Sequence, residues 1–266
     1  MSEVADAVSY DVSSHVATIT LNRPGSMNSL TEQSRAELKD ALHRASADSE
    51  ARAVVLTGSG RAFCVGQDLN EHVAQLRDKP IEEVWSVVAV DYAPMATAIA
   101  TMPKPVIAAI NGVAAGAGAS LAFAADFRIL AEPASFNLAF ANIALSCDTG
   151  ASWTLPRLVG HAKATELLLM PRSVGSAEAL TLGLATTVVP VDELDAHVRE
   201  LALKLAAGPT LAYASIRRAL AYAATNSLVD ALEYEGQKMA LTGASNDHRA
   251  AVAAFLAKET PNFEGR

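Results

Sequence analysis

The segment that most constrains this chain is NGVAAGAGAS at residues 111–120, where small residues follow an apolar, extended run at residues 105–110. Glycine admits backbone conformations that other residues avoid, and it lets a ligand approach the main chain closely. The first turn of a helix also presents unpaired N–H groups with a partial positive charge. The segment therefore predicts a site for an anion, or for an oxygen atom that becomes one during a reaction.

Three other interpretations of this segment compete with an anion site. Small residues also allow a helix to pack tightly against its neighbours. Residues 105–125 are long enough to span a bilayer, but they contain Asn111 and little leucine, which makes insertion unfavourable. A dinucleotide-binding fingerprint would need a third glycine where Leu121 follows Gly116 and Gly118.

Composition excludes several classes of protein. The chain has 266 residues, 51% of them hydrophobic, which is enough to bury a substantial core in one large domain. Its formal net charge is -8, and it has no run of Lys or Arg, so a nucleic-acid surface is not expected. An anionic ligand must therefore be bound by local groups.

The cysteines and histidines argue against disulfide or metal chemistry. Cys64 and Cys147 are too few for a disulfide framework or a zinc cage. The six histidines are scattered, and none has metal-ligand spacing with a neighbour. The N-terminus, MSEVADAVSYDV, lacks the charged segment and following apolar segment of a secretory signal peptide, so we expect a cytoplasmic protein. The cysteines and histidines lead us to expect no bound metal.

The order of the predicted elements indicates an α/β protein. Short β-type runs are predicted at residues 16–21, 53–57, 106–110 and 127–130. Thr31, followed by Ser34, begins a predicted helix that extends to Ala47. From about residue 162 the pattern is almost wholly helical, so strands are expected only before that point. Residues 202–257 are predicted to form amphipathic helices that dock on the N-terminal part of the chain or on another copy of it.

A second glycine-containing loop, residues 58–69, also follows a β-type run. Two such loops can each aim one backbone N–H at a common point. Two donors that converge on one carbonyl oxygen form an oxyanion hole, and loss of one donor costs ~10²-fold or more in rate. The pair of loops therefore predicts a site that polarises a carbonyl group.

Five stretches carry a resemblance to a known family. They are LNRPGSMNSL at residues 21–30, RAFCVGQDLN at 61–70, MPKPVIAAINGVAAGAGASLAF at 102–123, CDTGASWTLPRLVG at 147–160 and AVAAFLAKETPNF at 251–263. Along essentially its whole length, the chain resembles the crotonase superfamily of enoyl-CoA hydratases and isomerases. Within it, the chain is most similar to the isomerases that act on epoxyphenylacetyl-CoA and 3-enoyl-CoA thioesters.

The resemblance implies a fold and an assembly. Residues 1–200 would form the crotonase (ClpP-like) spiral of ββα turns, which binds acyl-CoA and carries the catalytic groups. Residues 201–266 would form a helical trimerisation region, which implies a homotrimer or a dimer of trimers. Partners other than the acyl-CoA substrate, such as nucleic acid or a membrane, are not implied.

The resemblance also implies catalytic residues. The N–H groups of Gln67 and Ala117 would form the oxyanion hole for the thioester carbonyl. Hydratases of the family keep two glutamates at the positions that Ser120 and Phe140 occupy here, so the hydratase pair is missing. Asp148 lies where isomerases of the family keep a single acid/base aspartate. Because an isomerase returns the proton that it removes, one carboxylate suffices, and isomerase activity is favoured.

Coenzyme A would enter as part of the substrate, with no prosthetic group. The matching contact positions are Arg23, Met27, Asn28, Phe63, Val65, Gly66, Gln67, Asp68, Leu69, Gly116, Phe255 and Lys258, of which Phe255 and Lys258 often close over the nucleotide from a neighbouring subunit. Gly25 and Ser26 stand where many relatives keep a basic residue, which weakens the phosphate contacts expected there. Cys147 replaces the usual proline before the catalytic loop, and Ala151 replaces a glycine.

Several positions have a plainer interpretation. Asp148 fits a solvated turn beside Gly150, Asp68 fits a helix cap, and Lys258 fits an exposed helical charge. Cys147 lacks the partner that a thiolate nucleophile needs, and Cys64 fits a small buried hydrophobe.

The function likewise has alternatives. A 2-enoyl-CoA hydratase could use Asp148 with a water held by Ser120, and a non-catalytic acyl-CoA-binding protein or a nicotinamide dehydrogenase is a further alternative. The acyl pocket is expected at residues 76–95, where a helical stripe of apolar and aromatic side chains comprises Val84, Trp85, Val88 and Tyr92.

Overall fold

The computed structural model describes residues 6–266, and the strands in that range are divided between two sheets. The strands are β1 (Val8–Ser13), β2 (Val16–Leu21), β3 (Ala53–Gly58), β4 (Ala62–Cys64), β5 (Val106–Ile110), β6 (Val113–Ala115), β7 (Phe127–Ala131), β8 (Ser135–Asn137), β9 (Ser173–Gly175) and β10 (Thr187–Val189). The first sheet has the order β1-β2-β3-β5-β7-β10, and the second has the order β4-β6-β8-β9. Neighbouring strands are parallel except in the pairs β1–β2 and β8–β9.

Helices follow the strands and cover the sheets. They are α1 (Glu32–Ala47), α2 (Leu69–Asp78), α3 (Ile81–Val87), α4 (Ala93–Thr101), α5 (Ala117–Phe123), α6 (Ala151–Leu169), α7 (Ser176–Leu182), α8 (Leu194–Ala206), α9 (Thr210–Ala223), α10 (Leu228–Gly243) and α11 (Asn246–Ala257). A single π-helical turn, Val88–Tyr92, joins α3 to α4 in this part of the chain.

The chain repeats one structural unit three times. The pairs β3–β4, β5–β6 and β7–β8 each place one strand in the first sheet and the next strand in the second, and helix follows each pair. Each unit is therefore one ββα turn, and successive turns stack through parallel pairing of β3 with β5 and of β5 with β7. This stacking brings the ends of corresponding strands side by side.

Apolar composition accounts for the central strands. Every residue of β5 is buried, as expected for a parallel strand that is covered on both faces. The strands predicted at residues 16–21 and 106–110 are present with those bounds, and α1 is capped at Thr31 through reciprocal hydrogen bonds with Ser34.

The expectation that strands stop before residue 162 is wrong, because β9 and β10 lie beyond it. Each of these two strands has three residues, which is too short to show an alternating pattern.

The C-terminal helices divide into one that packs on the core and three that are more exposed. Helix α8 packs against β3 and β5 and buries Leu194 and Val198. In α9 to α11, large apolar side chains remain exposed on the single chain, namely Ile216, Leu220, Leu228, Val229, Leu232, Met239, Leu241, Val252, Phe255 and Leu256. Helix α9 is fixed to the core by Arg217, whose guanidinium bonds the Asp126 carboxylate at 2.7 Å.

Two apolar stretches have the length of a membrane span. Residues 105–125, considered above, form β5, β6 and the seven-residue helix α5 instead of one long helix. Within the range that the structure describes, the helical run Ile81–Thr101 is long and apolar enough to cross a membrane by length and composition alone. Its side chains Val84, Met95 and Ile99 are buried against the protein, so it also fits a helix that packs on a core.

Candidate active site

The NGVAAGAGAS segment forms β6 and the start of α5, as a strand that leads into a helix. Gly116 precedes α5 with φ +52°, a conformation that favours glycine. The N–H of Ala117 lies in the first helical turn, and no acceptor for it exists among residues 6–266. All seven residues of α5 are buried. The first turn of α5 therefore presents a free amide at the end of a strand in the second sheet.

The loop around Gln67 presents a second free amide. Leu30 forms an isolated parallel bridge with Gln67, in which the Leu30 N–H donates to the Gly66 carbonyl at 2.8 Å and the Asp68 N–H donates to the Leu30 carbonyl at 3.1 Å. Because this bridge uses the residues on either side of Gln67, the Gln67 N–H is directed away from Leu30. It has no acceptor in the described part of the chain.

Two glycines allow these loops to touch. Gly66 has φ +83°, and a Cβ there would lie 3.2 Å from the Ala117 nitrogen. A Cβ on Gly118 would lie 2.2 Å from the Cys64 carbonyl oxygen, so any side chain there would force the two segments to shift. Glycine at both positions therefore holds the Gln67 loop against the start of α5.

A cleft of about 530 Å³ opens beside the two amides. Nine of the residues predicted for the site line it, namely Met27, Val65, Gly66, Gln67, Asp68, Leu69, Gly116, Ala117 and Asp148. The remaining wall includes His72, Tyr92, Phe140, Ile143 and Leu145. The cleft thus combines backbone donors, two aspartates and an apolar wall, as small-molecule sites generally do.

Three other predicted residues lie behind the wall of the cleft. Phe63 is fully buried in the core. The Asn28 amide donates to the carbonyls of Ser59 and Ala62, at 2.9 and 2.8 Å. Arg23 donates to Ser29 and forms an ion pair with Asp68. In this chain these side chains support the loop and do not line the cleft.

The two predicted C-terminal residues lie outside the cleft of the single chain. Phe255 is 80% exposed on α11. Lys258 ends that helix in a left-handed conformation, with φ +59°, and is exposed. Neither residue lines the cleft formed by its own chain.

Asp68 is fixed as an ionised helix cap. Its carboxylate accepts from the N–H groups of Asn70 and Glu71 at the start of α2, and from the Ser29 hydroxyl at 2.8 Å. Burial alone would raise the pKa of Asp68, but bonds from Ser29, the Glu71 amide and Arg23 hold it below its ordinary value. The capping interpretation is confirmed, and this carboxylate is poorly suited to accept a proton.

The pKa of Asp148 is shifted in the opposite direction, above its ordinary value. It lies in the loop before α6, between Cys147 and Thr149, and it lines the cleft. Burial raises the pKa of Asp148, and a hydrogen bond from the Thr149 hydroxyl at 2.8 Å offsets part of that rise. A carboxylate with a raised pKa is a better proton acceptor and donor near neutral pH. Of the Asp and Glu side chains in residues 6–266, only Asp68 and Asp148 line this cleft.

Ser120 and Phe140 supply no second acid or base. The Ser120 hydroxyl is fully buried, donates to the Gly116 carbonyl at 3.0 Å, and does not line the cleft. Phe140 lines the cleft with an aromatic ring. The chemistry of the described cleft therefore centres on one carboxylate and two amides.

The structure adds His72 to the site, which sequence reasoning missed. Its Nδ1 lies 3.0 Å from the Gln67 side-chain amide, and burial lowers its pKa, so the neutral ring is favoured. The ring of Trp85 packs against it at 5.2 Å between centroids. The position of His72 four residues after the helix cap Asp68, on the face of α2 that turns inward, was the available signal.

The predicted acyl-pocket stripe and the cysteines divide between cleft and core. Of the four stripe residues, Tyr92 lines the cleft, whereas Val84, Trp85 and Val88 do not. Cys64 is buried, and burial raises the pKa of its thiol to about 12, as expected of an inert core residue.

Comparison with known proteins decides the family. The family described as enoyl-CoA hydratase/isomerase matches residues 11–266. The chain belongs to that family. Its spiral of ββα turns is the crotonase fold, as the sequence predicted: an enoyl-CoA hydratase structure from Bacillus anthracis superposes with a TM-score of 0.92 at 35% identity, covering 98% of this chain and 100% of the other.

Individual relatives carry different names. A "probable enoyl-CoA hydratase" from Rhodobacter capsulatus is 44% identical over 97% of this chain and 98% of its own length. The 1,2-epoxyphenylacetyl-CoA isomerase of Escherichia coli is 40% identical over 94% of this chain and 95% of its own length. Family membership thus supports an enzyme that acts on an acyl-CoA thioester, and the reaction depends on the residues of the cleft.

Proposed function

We propose that the chain is an acyl-CoA thioester isomerase that moves a proton with Asp148 while the amides of Gln67 and Ala117 hold the thioester oxygen. The observation that carries this proposal is that two unpartnered amides share a cleft with the half-buried carboxylate of Asp148, whose pKa is raised by burial. The reaction would be a 3-enoyl to 2-enoyl double-bond shift or an epoxide-to-oxepin rearrangement. The second is considered because the E. coli relative is named 1,2-epoxyphenylacetyl-CoA isomerase.

The chemistry follows from the charge that develops on the substrate. Two N–H donors at the thioester oxygen stabilise the enolate formed when a proton leaves the adjacent carbon. Asp148 accepts that proton and returns it to another carbon, so the carboxylate is regenerated and no water is consumed. Neutral His72 beside the Gln67 side chain places no positive charge near Asp148 that would lower its basicity.

Coenzyme A binding and assembly are part of the same proposal. The pantetheine would lie against the loop of Met27 and the segment 65–69, which form one side of the cleft. The exposed apolar side chains of α9 to α11 support a helical oligomerisation region at residues 201–266, through which a trimer would bring Phe255 and Lys258 to a neighbouring cleft. The enzyme would work in the cytoplasm.

A hydratase is the second candidate, because the R. capsulatus relative bears that name. It would need a water held next to Asp148. The Ser120 hydroxyl, which sequence reasoning offered for that task, is buried and bonded to Gly116 outside the cleft wall. The single-carboxylate site therefore favours isomerisation.

Product mass separates these functions. The protein is incubated with 2-enoyl, 3-enoyl and aryl-epoxide CoA thioesters, and products are identified by mass and retention time. An isomerase gives products of unchanged mass, whereas a hydratase gives products heavier by one water. Coenzyme A binding without any product would support a non-catalytic protein and overturn the proposal.

Asp148→Asn tests the proton carrier directly. We expect a loss of turnover of about 10²–10⁴-fold, the usual size of an acid/base contribution, with unchanged affinity for coenzyme A. Asp192→Asn, at an exposed aspartate far along the chain, serves as the matched control. An unchanged rate in Asp148→Asn would remove Asp148 from the mechanism.

A further inference from the structure

Tyr92 occupies an unusual place in the backbone. It is the last residue of the π-helical turn that interrupts the run between α3 and α4. Single π turns within helices occur frequently at functional sites, because the extra residue redirects the side chains that follow it. Here the turn leaves Tyr92 fully buried and at the same time in contact with the cleft.

The Tyr92 hydroxyl has no hydrogen-bond partner within residues 6–266. A buried hydroxyl without a partner is costly, and such groups in native structures usually have a functional explanation. Arg35 is close enough to lower the pKa of Tyr92, but a guanidinium only donates, so it cannot accept the phenolic hydrogen; its N–H groups bond the Leu30 carbonyl, Glu71 and Asp91. The phenolic hydrogen of Tyr92 is therefore donated to no group in the described range, and Tyr92 lines the cleft.

One part of the cleft wall cannot accept that hydrogen. Phe140, Ile143 and Leu145 are apolar. Asp148 is close enough for its charge to raise the pKa of Tyr92 further, beyond the rise caused by burial. Tyr92 and Asp148 thus line the same cleft, and the phenol is close enough to the carboxylate for the two groups to interact.

We infer that Tyr92 is a specificity-determining residue whose hydroxyl donates a hydrogen bond to an oxygen atom of the acyl group, so that the cleft selects acyl-CoA thioesters with an epoxide or ether oxygen near the reacting carbons. This inference rests on the proposed isomerase function and chooses between its two reactions. A hydrocarbon enoyl chain would leave the buried hydroxyl unpaired, and sites built to bond a substrate oxygen discriminate strongly against analogues without one.

Tyr92→Phe removes the hydroxyl and keeps the ring. The probes are an aryl-epoxide acetyl-CoA thioester and a 3-enoyl-CoA thioester of similar size, with kcat and KM measured for each. We expect kcat/KM to fall at least about tenfold more for the epoxide than for the enoyl thioester. Tyr213→Phe, at a half-buried tyrosine that does not line the cleft, is the matched control and should leave the ratio between substrates unchanged.

Stability distinguishes a substrate contact from a structural role. Because the hydroxyl has no protein partner, Tyr92→Phe should melt at the same temperature as the parent protein or higher. A lower melting temperature with equal losses on both substrates would overturn the inference, and so would equal turnover of both thioesters by the parent protein.

The outcome for Asp148→Asn keeps the two proposals apart. If that variant loses activity on both thioesters while Tyr92→Phe affects them equally, the isomerase proposal stands and the role of Tyr92 is rejected. If Asp148→Asn retains full activity, the isomerase mechanism is rejected regardless of the result for Tyr92.

Discussion

The Thr149 hydroxyl donates a 2.8 Å hydrogen bond to Oδ1 of Asp148, and this is the contact that opposes the effect of burial on the Asp148 pKa. Thr149 is itself buried and adopts a left-handed conformation, with φ +52°, which a β-branched residue rarely does. A strained residue next to the proposed base indicates that the loop is held in place for its function.

Thr149→Val should move the acid limb of the pH–rate profile to higher pH. The hydrogen bond favours the ionised carboxylate, so its loss leaves burial unopposed and raises the pKa of Asp148 further. A base must be ionised to accept a proton, so kcat/KM falls as the pH drops through this pKa. Thr149→Ser keeps the hydroxyl and should keep the parent profile. Identical profiles for the valine and serine variants would contradict this role.

Asp148→Asn should stabilise the protein at neutral pH while it removes activity. Burial raises the folded-state pKa of Asp148, so ionisation destabilises the native state, and this cost is fully present above the folded pKa. The cost disappears below the ordinary pKa of about 3.9, where the group is protonated in both states. The melting temperature of Asp148→Asn should therefore exceed that of the parent at pH 7, and the difference should shrink toward zero as the pH falls below about 3.9. A lower melting temperature at pH 7 would argue against a half-buried, ionised Asp148.

The sequence predicts the backbone hydrogen-bond donors of the cleft better than it predicts the side chains that line the cleft. The amides of Gln67 and Ala117 belong to glycine-containing loops that follow strands, and such signals are local. Tyr92 lines the cleft at the end of a π-helical turn, and His72 contacts Gln67 because of the way α2 packs. The spacing of residues in the sequence predicts neither feature. At the predicted contact positions Asn28 and Phe63 the side chains lie behind the wall, because a motif does not specify whether a side chain touches the ligand or supports the loop whose backbone does.

The shortest strands are also poorly predicted from the sequence. Strand β5 has five buried apolar residues and is visible in the sequence, whereas β9 and β10 have three residues each and are fixed by their partners β8 and β7. Such short segments become strands because they pair with strands that are distant in the sequence, so their own residues do not reveal the strand.

Asn28→Asp should destabilise the loop that supports the cleft. Asn28 is buried, and its amide nitrogen donates to the carbonyls of Ser59 and Ala62. An aspartate places an oxygen against those carbonyls, which removes two bonds and costs about 2–4 kcal/mol in unfolding free energy. Denaturant unfolding measures the change. Asn246→Asp, at the exposed first turn of α11, is the matched control and should be neutral or slightly stabilising because of the helix dipole.

Gly118→Ala should separate the two amides of the proposed oxyanion hole. A Cβ at this position would lie 2.2 Å from the Cys64 carbonyl oxygen, so β4 and α5 must move apart, at a cost of about 1–3 kcal/mol. Because a displaced donor no longer meets the thioester oxygen, kcat should fall by about 10²-fold, measured beside the unfolding free energy. Gly236→Ala, exposed in α10 with open space around it, should gain about 0.5–1 kcal/mol and keep full activity. If Gly118→Ala were destabilised but fully active, the amide of Ala117 would not contribute to catalysis.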